Sequence, residues 1–146
     1  KKDRSIGPIC MTPGYGYGGP CYPRDNKALA TYANQIGVKP LLPVATDDYN
    51  DTHHSLMVRK LLLSEKSTYV FEDVTYKPNC AVPMIDNSPK LEVARELARK
   101  GKNVKIIDRV DVIQEVMKEY GNLFSYETQE AKSAPLKALS CQRNTY

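Results

Sequence analysis

The second half of the chain alternates between strand-like and helix-like patterns of hydrophobic residues. Residues 68–76 are rich in β-branched and aromatic side chains, which is typical of a strand. Ser88 and Pro89 then provide an N-cap and a first helical residue for a helix that ends near Gly101. The apolar side of this helix comprises Leu91, Val93, Ala94, Leu97 and Ala98. Because a second strand is predicted at 104–108, the strand–helix–strand order favours a small parallel sheet.

Two further elements and a tail complete this half of the chain. A helix is predicted from about Asp111 to Tyr120, and a short strand is predicted over Leu123–Tyr126. From Thr128 onwards no clear period is present, which is typical of a terminal segment with little regular structure.

The first half is predicted to be a loop followed by two helices. Glycine and proline punctuate residues 1–23, which indicates a loop. Asp25 is predicted as the N-cap of a first helix, which Gly37 terminates. A longer helix is predicted over 44–63, and we expect its polar middle, residues 47–54, to be exposed or to face a partner subunit.

Charge and hydropathy exclude two classes of partner. Lysine and arginine are interspersed with acidic residues and the net charge is only +4, so the sequence lacks the basic stripe that binds nucleic acid. No apolar run approaches the roughly 20 residues of a membrane span. We therefore expect no nucleic-acid partner and no membrane association, and the mild basic excess suits solubility or a phosphorylated small molecule.

The cysteines and histidines form no pattern typical of a metal site. The four cysteines are Cys10, Cys21, Cys80 and Cys141. None of them has Cys-x-x-Cys spacing, and His53 and His54 are adjacent to each other but not to a cysteine. Reduced thiols in a cytoplasmic protein are the simplest interpretation, with no metal and with the histidine pair at the surface.

Residues 14–25 carry the most distinctive chemistry, with the sequence GYGYGGPCYPRD. Glycines allow close approach of the backbone to a ligand, and Cys21 stands at the predicted start of a helix, where a thiolate is favoured. Arg24 and Asp25 follow within four positions. The segment indicates a nucleophile beside a bound substrate. An ordinary turn with an inert buried cysteine, a capping Asp25 and a solvated Arg24 is the alternative.

The spacing of Gly14, Gly16 and Gly19 formally satisfies the dinucleotide motif Gly-x-Gly-x-x-Gly. That motif requires a strand immediately before it and a helix that opens within it. Here Pro8 and Pro13 precede the glycines, and the helix begins only after the cysteine. We therefore interpret the segment as a loop around a sugar or pyrophosphate and not as a dinucleotide fingerprint.

Taken together, these residues resemble the UDP-glucose/GDP-mannose dehydrogenase family. The family loop has the pattern Gly-x-Gly-x-Gly-Gly-x-Cys-hydrophobic-Pro-Lys-Asp, which residues 14–25 reproduce with Arg24 in place of the lysine. A second match is the sequence YKPN at 76–79, followed by NSP at 87–89. The resemblance extends over about residues 3–108.

The resemblance implies an α/β fold, in which a helical dimerisation segment precedes a partial Rossmann-like βαβ lobe. Residues 1–66 would be the second half of the central dimerisation domain, and residues 67–127 part of the C-terminal nucleotide-sugar-binding domain. Residues 128–146 would be a tail. The NAD-binding Rossmann domain of the family would lie outside this chain. The expected partners are therefore a nucleotide-sugar substrate and a second copy, or a part that carries the Rossmann domain.

The resemblance also implies roles for particular residues. Cys21 is similar to the nucleophile that attacks the C6 aldehyde, and Asp25 to a carboxylate that positions or activates water. The substrate-binding positions would be Tyr15, Tyr17, Gly18, Gly19 and Lys77. The implied activity is NAD-dependent oxidation of UDP-glucose, or of a related UDP- or GDP-hexose, through a thiohemiacetal and a thioester.

Several departures from the family keep a second hypothesis open. The arginine of the family Arg-Ile-Gly sequence is Ser5 here, with Arg4 one residue away. The family Thr-Asp-Asp and its following arginine are replaced after Asn79 by the sequence CAVPMI. The alternative is a non-catalytic dimerisation or nucleotide-sugar-binding module derived from the same family.

Overall fold

The computed structural model describes residues 14–77 and 80–129. Two long helices come first, α1 (Tyr22–Gln35) and α2 (Leu41–Leu62). The sheet lobe follows as β1 (Thr68–Glu72), α3 (Pro89–Arg99), β2 (Asn103–Asp108), α4 (Val110–Tyr120), a short 3₁₀ turn and β3 (Ser125–Thr128). The predicted α/β fold, with a helical segment before a βαβ lobe, is confirmed.

The sheet has three parallel strands in the order β1-β2-β3. Val70 pairs with Lys105 in the first ladder, and Ile106 pairs with Tyr126 in the second. Helix α3 connects the first pair of strands and α4 the second pair, as parallel pairing requires. The predicted parallel sheet is confirmed, and its third strand begins two residues later than the sequence suggested.

The hydrophobic core lies almost entirely within this lobe. Its buried residues on the strands and on α3 and α4 include Tyr69, Phe71, Leu91, Leu97, Val104, Ile106, Val112 and Val116. The Oγ of Ser88 accepts the backbone N–H of Leu91 at 3.4 Å, so the predicted N-cap of α3 is confirmed. Val58 of α2 also joins the core, and it attaches the helical segment to the lobe.

Strand β1 is shorter than the sequence predicted. Asp73 follows it with φ of 50°, in the left-handed region, and this residue ends the extended backbone. The next N–H, that of Val74, donates to Oδ2 of the buried Asp108 at 2.7 Å. The N–H of Val74 is therefore bonded to a carboxylate at the end of β2. A strand that continued to residue 76, as predicted, would need a neighbouring strand as its partner instead.

Both helices of the first half begin earlier than predicted. Cys21, not Asp25, is the N-cap of α1, and Asp25 lies in the first helical turn. Helix α2 includes Pro43, which is tolerated because the first turn needs no N–H from that position. Gly37 has φ of 74°, so the glycine predicted to terminate the first helix is confirmed.

The α1–α2 pair exposes much of its apolar surface. No residue of α1 is buried, and Val58 is the only buried residue of α2. The exposed apolar side chains of the two helices and their connection include Leu29, Tyr32, Ile36, Val38, Leu41, Leu42, Tyr49 and Leu56. Within residues 14–77 and 80–129, no helix is both long enough and apolar enough to cross a membrane.

Candidate functional site

Cys21 occupies the N-cap of α1 with its thiol exposed to solvent. Its carbonyl oxygen accepts the N–H of Asp25 at 2.8 Å, the first hydrogen bond of the helix. The sulfur therefore lies at the positive end of a helix of 14 residues. The alternative of a buried cysteine in an ordinary turn is wrong for this residue.

Asp25 lies one turn after the cysteine and is paired with its neighbour. Arg24 Nε contacts Asp25 Oδ1 at 2.9 Å, and both side chains are largely exposed. The hydrogen bond to Asp25 and its charge raise the pKa of the Arg24 guanidinium, with a smaller contribution from Cys21. The thiol, the cation and the carboxylate thus share the first turn of α1.

The glycine loop before the cysteine is held by a two-point contact from α2. The N–H of Tyr17 donates to Oδ1 of Asn50 at 2.9 Å, and Nδ2 of Asn50 donates to the carbonyl of Tyr17 at 3.1 Å. A Cβ on Gly16 would overlap Oδ1 of Asn50. The contact therefore requires a glycine at position 16.

The phenol of Tyr17 is also hydrogen-bonded to α2. Its hydroxyl donates to a carboxylate oxygen of Asp47, one turn before Asn50. Burial and the contact with Asp47 raise the pKa of Tyr17 to about 12. The ring of Tyr22, next to the cysteine, lies 6.4 Å from the Tyr17 ring.

Two histidines complete the face of α2 that contacts the loop. His53 Nε2 lies 2.6 Å from the carbonyl oxygen of Gly14, to which it donates as the Nε2–H tautomer. Nε2 of His54 is buried against Gly16 and has no hydrogen-bond partner among the described residues, and burial lowers the pKa of His54. The polar middle of α2 was expected to be exposed or to face a partner subunit, and the histidines to lie at the surface. Asp48, Tyr49, Asp51 and Thr52 are exposed, as expected. Asp47, Asn50 and the two histidines are instead half-buried against the glycine loop of the same chain. A partner subunit at this face stays a prediction.

The other side of the loop contacts the sheet lobe. The N–H of Gly19 donates to the carbonyl of Asn87 at 3.3 Å, and Nδ2 of Asn87 donates to the carbonyl of Gly19 at 3.2 Å. A Cβ on Gly18 would overlap the Asn87 carbonyl, and one on Gly19 would overlap the ring of Tyr76. Close packing against protein therefore explains these two glycines without a ligand.

Lys77 approaches the loop through its neighbour Tyr76. The Lys77 side chain is exposed, and its Nζ lies 5.3 Å from the centre of the Tyr76 ring, which covers Gly19. A hydrogen bond to Tyr76 raises the pKa of Lys77. The structure thus connects the predicted substrate lysine to the predicted substrate loop. Pro78 and Asn79, which complete the second sequence match, lie outside the described residues.

Several concave regions adjoin the loop, and two of them also contact Asn50. A groove of about 630 Å³ lies between the loop and α2, and it is lined by residues that include Tyr15, Tyr17, Leu42, Tyr49, Asn50 and His53. A more polar cleft of about 390 Å³ includes Tyr17, Lys27, Asn50, His54, Asn87, Glu92 and Arg95. Sequence reasoning missed Asn50 and Asp47. Their spacing of three residues on one helical face, with His53 and His54 a turn later, was the available signal.

Comparison with known proteins shows which family the chain resembles. Residues 1–52 match the family model described as UDP-glucose/GDP-mannose dehydrogenase family, central domain. The chain is 30% identical over 123 residues to YtcA of Bacillus subtilis, a protein provisionally named UDP-glucose 6-dehydrogenase. It is 29% identical over 114 residues to the UDP-glucose 6-dehydrogenase TuaD of the same organism.

This chain is a relative of the UDP-glucose/GDP-mannose dehydrogenases. The two alignments cover 81% and 75% of the chain but only 28% and 24% of the relatives. The chain therefore spans about a quarter of the length of these dehydrogenases. The resemblance deduced from the glycine loop is confirmed, whereas the predicted boundaries at residues 66 and 127 stay predictions.

Solved structures of the same family share the fold. A UDP-glucose dehydrogenase from the archaeon Pyrobaculum islandicum matches 78% of this chain and 27% of its own, with a TM-score of 0.71 and 22% identity. A GDP-mannose dehydrogenase from Pseudomonas aeruginosa, solved as a ternary complex, matches 80% of this chain and 29% of its own, with a TM-score of 0.68 and 23% identity.

Proposed function

We propose that this chain is part of an NAD-dependent nucleotide-sugar dehydrogenase that oxidises UDP-glucose, or a related UDP- or GDP-hexose, to the uronic acid. The observation that carries the proposal is the exposed thiol of Cys21 at the N-terminus of α1, at the end of a loop with the family pattern. A cysteine attacks a carbonyl through its sulfur, and the exposed thiol of Cys21 is accessible to a substrate.

The chemistry assigned to Cys21 is covalent capture of an aldehyde. The sulfur attacks C6 of the substrate aldehyde, a C–S bond forms, and the carbonyl oxygen takes up a proton to give a thiohemiacetal. After this adduct is oxidised to a thioester, water attacks the acyl carbon. The C–S bond then breaks, which releases the carboxylate and restores the thiol.

The residues around Cys21 supply charge and shape for this reaction. Asp25, in the first turn of α1 after Cys21, would position the water that hydrolyses the thioester. Lys77 would contact the anionic substrate, and its exposed ammonium beside Tyr76 leaves it accessible to a phosphate. Tyr15 and Tyr17 line the groove of about 630 Å³ and would contact the sugar and pyrophosphate there, while Gly18 and Gly19 would contribute by holding this loop against the sheet lobe.

Oxidation of the C6 alcohol to the aldehyde, and of the adduct to the thioester, each requires a hydride acceptor, for which the family relationship implies NAD. The residues described here do not fit a dinucleotide. The N–H groups of Tyr17 and Gly19 are bonded to Asn50 and Asn87, and the loop opens no helix within its glycine pattern. The hydride step therefore belongs to a part of the protein outside the described residues.

The exposed apolar surface of α1 and α2 supports an assembly. Leu41 and Leu42 are 72% and 81% exposed, and Tyr32 and Tyr49 add aromatic area on the same pair of helices. Apolar area of this kind commonly marks an interface. We propose that a second copy of the chain, or a part that carries the Rossmann domain, covers it. Light scattering that gives the monomer mass at all concentrations would argue against a homodimer.

The capture of an aldehyde by Cys21 can be tested without a cofactor. The chain is incubated with the C6 aldehyde of UDP-glucose, and alkylation of Cys21 by iodoacetamide is followed by peptide mass spectrometry. We expect the aldehyde to protect Cys21 at least tenfold, and UDP-glucose, which has an alcohol at C6 instead of an aldehyde, to protect it much less. The buried Cys80 is the internal control. Equal protection of Cys21 by the aldehyde and the alcohol would contradict covalent capture.

A non-catalytic module is the second candidate, and the pairing of Asp25 with Arg24 favours it. A carboxylate held in an ion pair at 2.9 Å is less available to activate water. A binding module would bind UDP-glucose with equal affinity in wild type and Cys21→Ser, and the aldehyde would give no protection beyond that of UDP-glucose.

A further inference from the structure

We infer that Asn50 is a positioning residue for Cys21, which it never touches, because its amide fixes the glycine loop from which the cysteine projects. The inference rests on the proposed function, since it assigns Asn50 a part in presenting the nucleophile. The structural part of the inference, namely that Asn50 orders the loop, depends only on the observed contacts.

The amide of Asn50 makes a contact that few side chains could replace. It accepts the N–H of Tyr17 and donates to the carbonyl of the same residue, at 2.9 and 3.1 Å. An aspartate at position 50 would accept the N–H, but it could not donate to the carbonyl. A leucine would do neither. Both bonds bridge 33 residues, so they fix the loop to α2 and not to its own neighbours.

The loop needs such an anchor because of its composition. Four of the six residues from 14 to 19 are glycine, and glycine loses more backbone freedom on folding than any other residue. Ordering each of these residues costs conformational entropy, which the contacts of the loop must offset. Asn50 fixes the loop at Tyr17 and Asn87 fixes it at Gly19, so the loop is restrained from both sides just before Cys21.

The placement of Cys21 depends on this restraint. The N-cap position of Cys21 follows directly from the path of residues 17–20. The positive potential of the helix dipole acts only within the first turn. If the restraint at Tyr17 is lost, the loop samples other paths and the sulfur spends less time at the helix terminus. Alkylation of Cys21 should then become slower, although the thiol is no less exposed.

The experiment compares Asn50→Leu and Asn50→Asp with wild type in the full chain under reducing conditions. Asn34→Leu, an exposed asparagine of α1, is the matched control. Hydrogen exchange of a peptide that covers residues 14–21 reports loop order. Iodoacetamide rates at pH 7 report the placement of Cys21, and the rate of the buried Cys80 reports global opening.

For Asn50→Leu we expect at least tenfold faster exchange in the loop, at least threefold slower alkylation of Cys21 and an unchanged slow rate at Cys80. Asn50→Asp should lie between this variant and wild type, and Asn34→Leu should match wild type. Unchanged loop exchange in Asn50→Leu overturns the inference. Faster exchange with an unchanged Cys21 rate also overturns it, because the loop would then not position the thiol. Faster alkylation at both cysteines overturns it in favour of a general role in stability.

Gly16→Ala provides a reciprocal test, because a Cβ at this position would displace the Asn50 amide. The effects of Gly16→Ala and Asn50→Leu on the Cys21 rate should therefore not add, whereas independent sites would give additive effects. Failure of the proposed function is distinguishable from failure of this inference. If wild-type Cys21 reacts no faster than glutathione, the nucleophile assignment fails, while the exchange data still decide whether Asn50 orders the loop.

Discussion

Gly19 and Asn87 exchange two hydrogen bonds across 68 residues of sequence. One runs from the Gly19 N–H to the Asn87 carbonyl and the other from the Asn87 side chain to the Gly19 carbonyl. Because Asn87 directly precedes the N-cap of α3, this exchange fixes the cysteine loop to the sheet lobe. The relative placement of Cys21 and Lys77 depends on it, since Tyr76 packs on the same glycine.

Gly19→Ala should destabilise the chain by more than about 2 kcal/mol. The residue has φ of 84°, which is costly for alanine, and the new Cβ would overlap the ring of Tyr76. Urea unfolding followed by circular dichroism measures the loss. Gly14→Ala is the control, since no described residue other than its chain neighbours has an atom within 4 Å of the added Cβ, and it should change stability by less than about 0.5 kcal/mol. Equal effects of the two substitutions would show that the Gly19 contact is not tight in solution.

Asp108→Ala should cost about 2–4 kcal/mol in the free energy of unfolding. Its buried carboxylate accepts the N–H groups of Val74 and Arg109, both at 2.7 Å, and the Val74 donor would stay buried without a partner. Asp111→Ala is the comparison, because its carboxylate pairs with Arg109 in a half-exposed contact worth less than about 1 kcal/mol. Similar losses in the two variants would contradict the role assigned to the end of β2.

Tyr17→Phe should alter stability in a pH-dependent way at alkaline pH. The pKa of Tyr17 is about 12 in the folded chain and about 10 in an unfolded one, so the protonated phenol stabilises the folded state. That contribution is complete below about pH 10 and is lost as the pH rises towards about 12. The stability difference between wild type and Tyr17→Phe should therefore shrink over this range in equilibrium unfolding. A constant difference would show that the phenol titrates normally.

His54→Gln should make the chain less sensitive to mild acid. Burial lowers the pKa of His54, although Asp51 and Glu92 act in the opposite direction. The neutral imidazole therefore contributes stability above the unfolded pKa of about 6.5, and this contribution is lost as the pH falls below it. Unfolding midpoints in urea at about pH 7.5 and pH 5 should fall further for wild type than for His54→Gln. His53→Gln is the control, because the ring of His53, unlike that of His54, has a hydrogen-bond partner in the Gly14 carbonyl.

The isolated chain should not reduce NAD in the presence of UDP-glucose. Its described residues offer no dinucleotide cradle, and it spans about a quarter of the dehydrogenases to which it is related. Absorbance at the reduced-cofactor band measures turnover, with full-length TuaD as the positive control. Turnover by this chain alone, abolished in Cys21→Ser, would contradict the assignment of the hydride step to another part of the protein.

The elements that were predicted well are those whose signals are local. The helix after Ser88 has its cap, its proline and its apolar face within a dozen residues, so short-range rules were sufficient. The end of β1 was predicted wrongly because a carboxylate 34 residues away takes the N–H of Val74. The contact of His53 with the Gly14 carbonyl was not predicted because it bridges 39 residues and has no local signature.

Local rules in the amino-acid sequence were sufficient to specify the α/β order of elements, the parallel sheet and a family loop that ends in Cys21. These features depend on periodicity, on caps and on a contiguous motif. Only the tertiary structure showed why these loop positions require glycine. Gly16, Gly18 and Gly19 leave room for Asn50, Asn87 and Tyr76, which reach the loop from two different parts of the chain. Steric fit between distant segments exists only after folding, and it is this fit that places the thiol at the helix terminus.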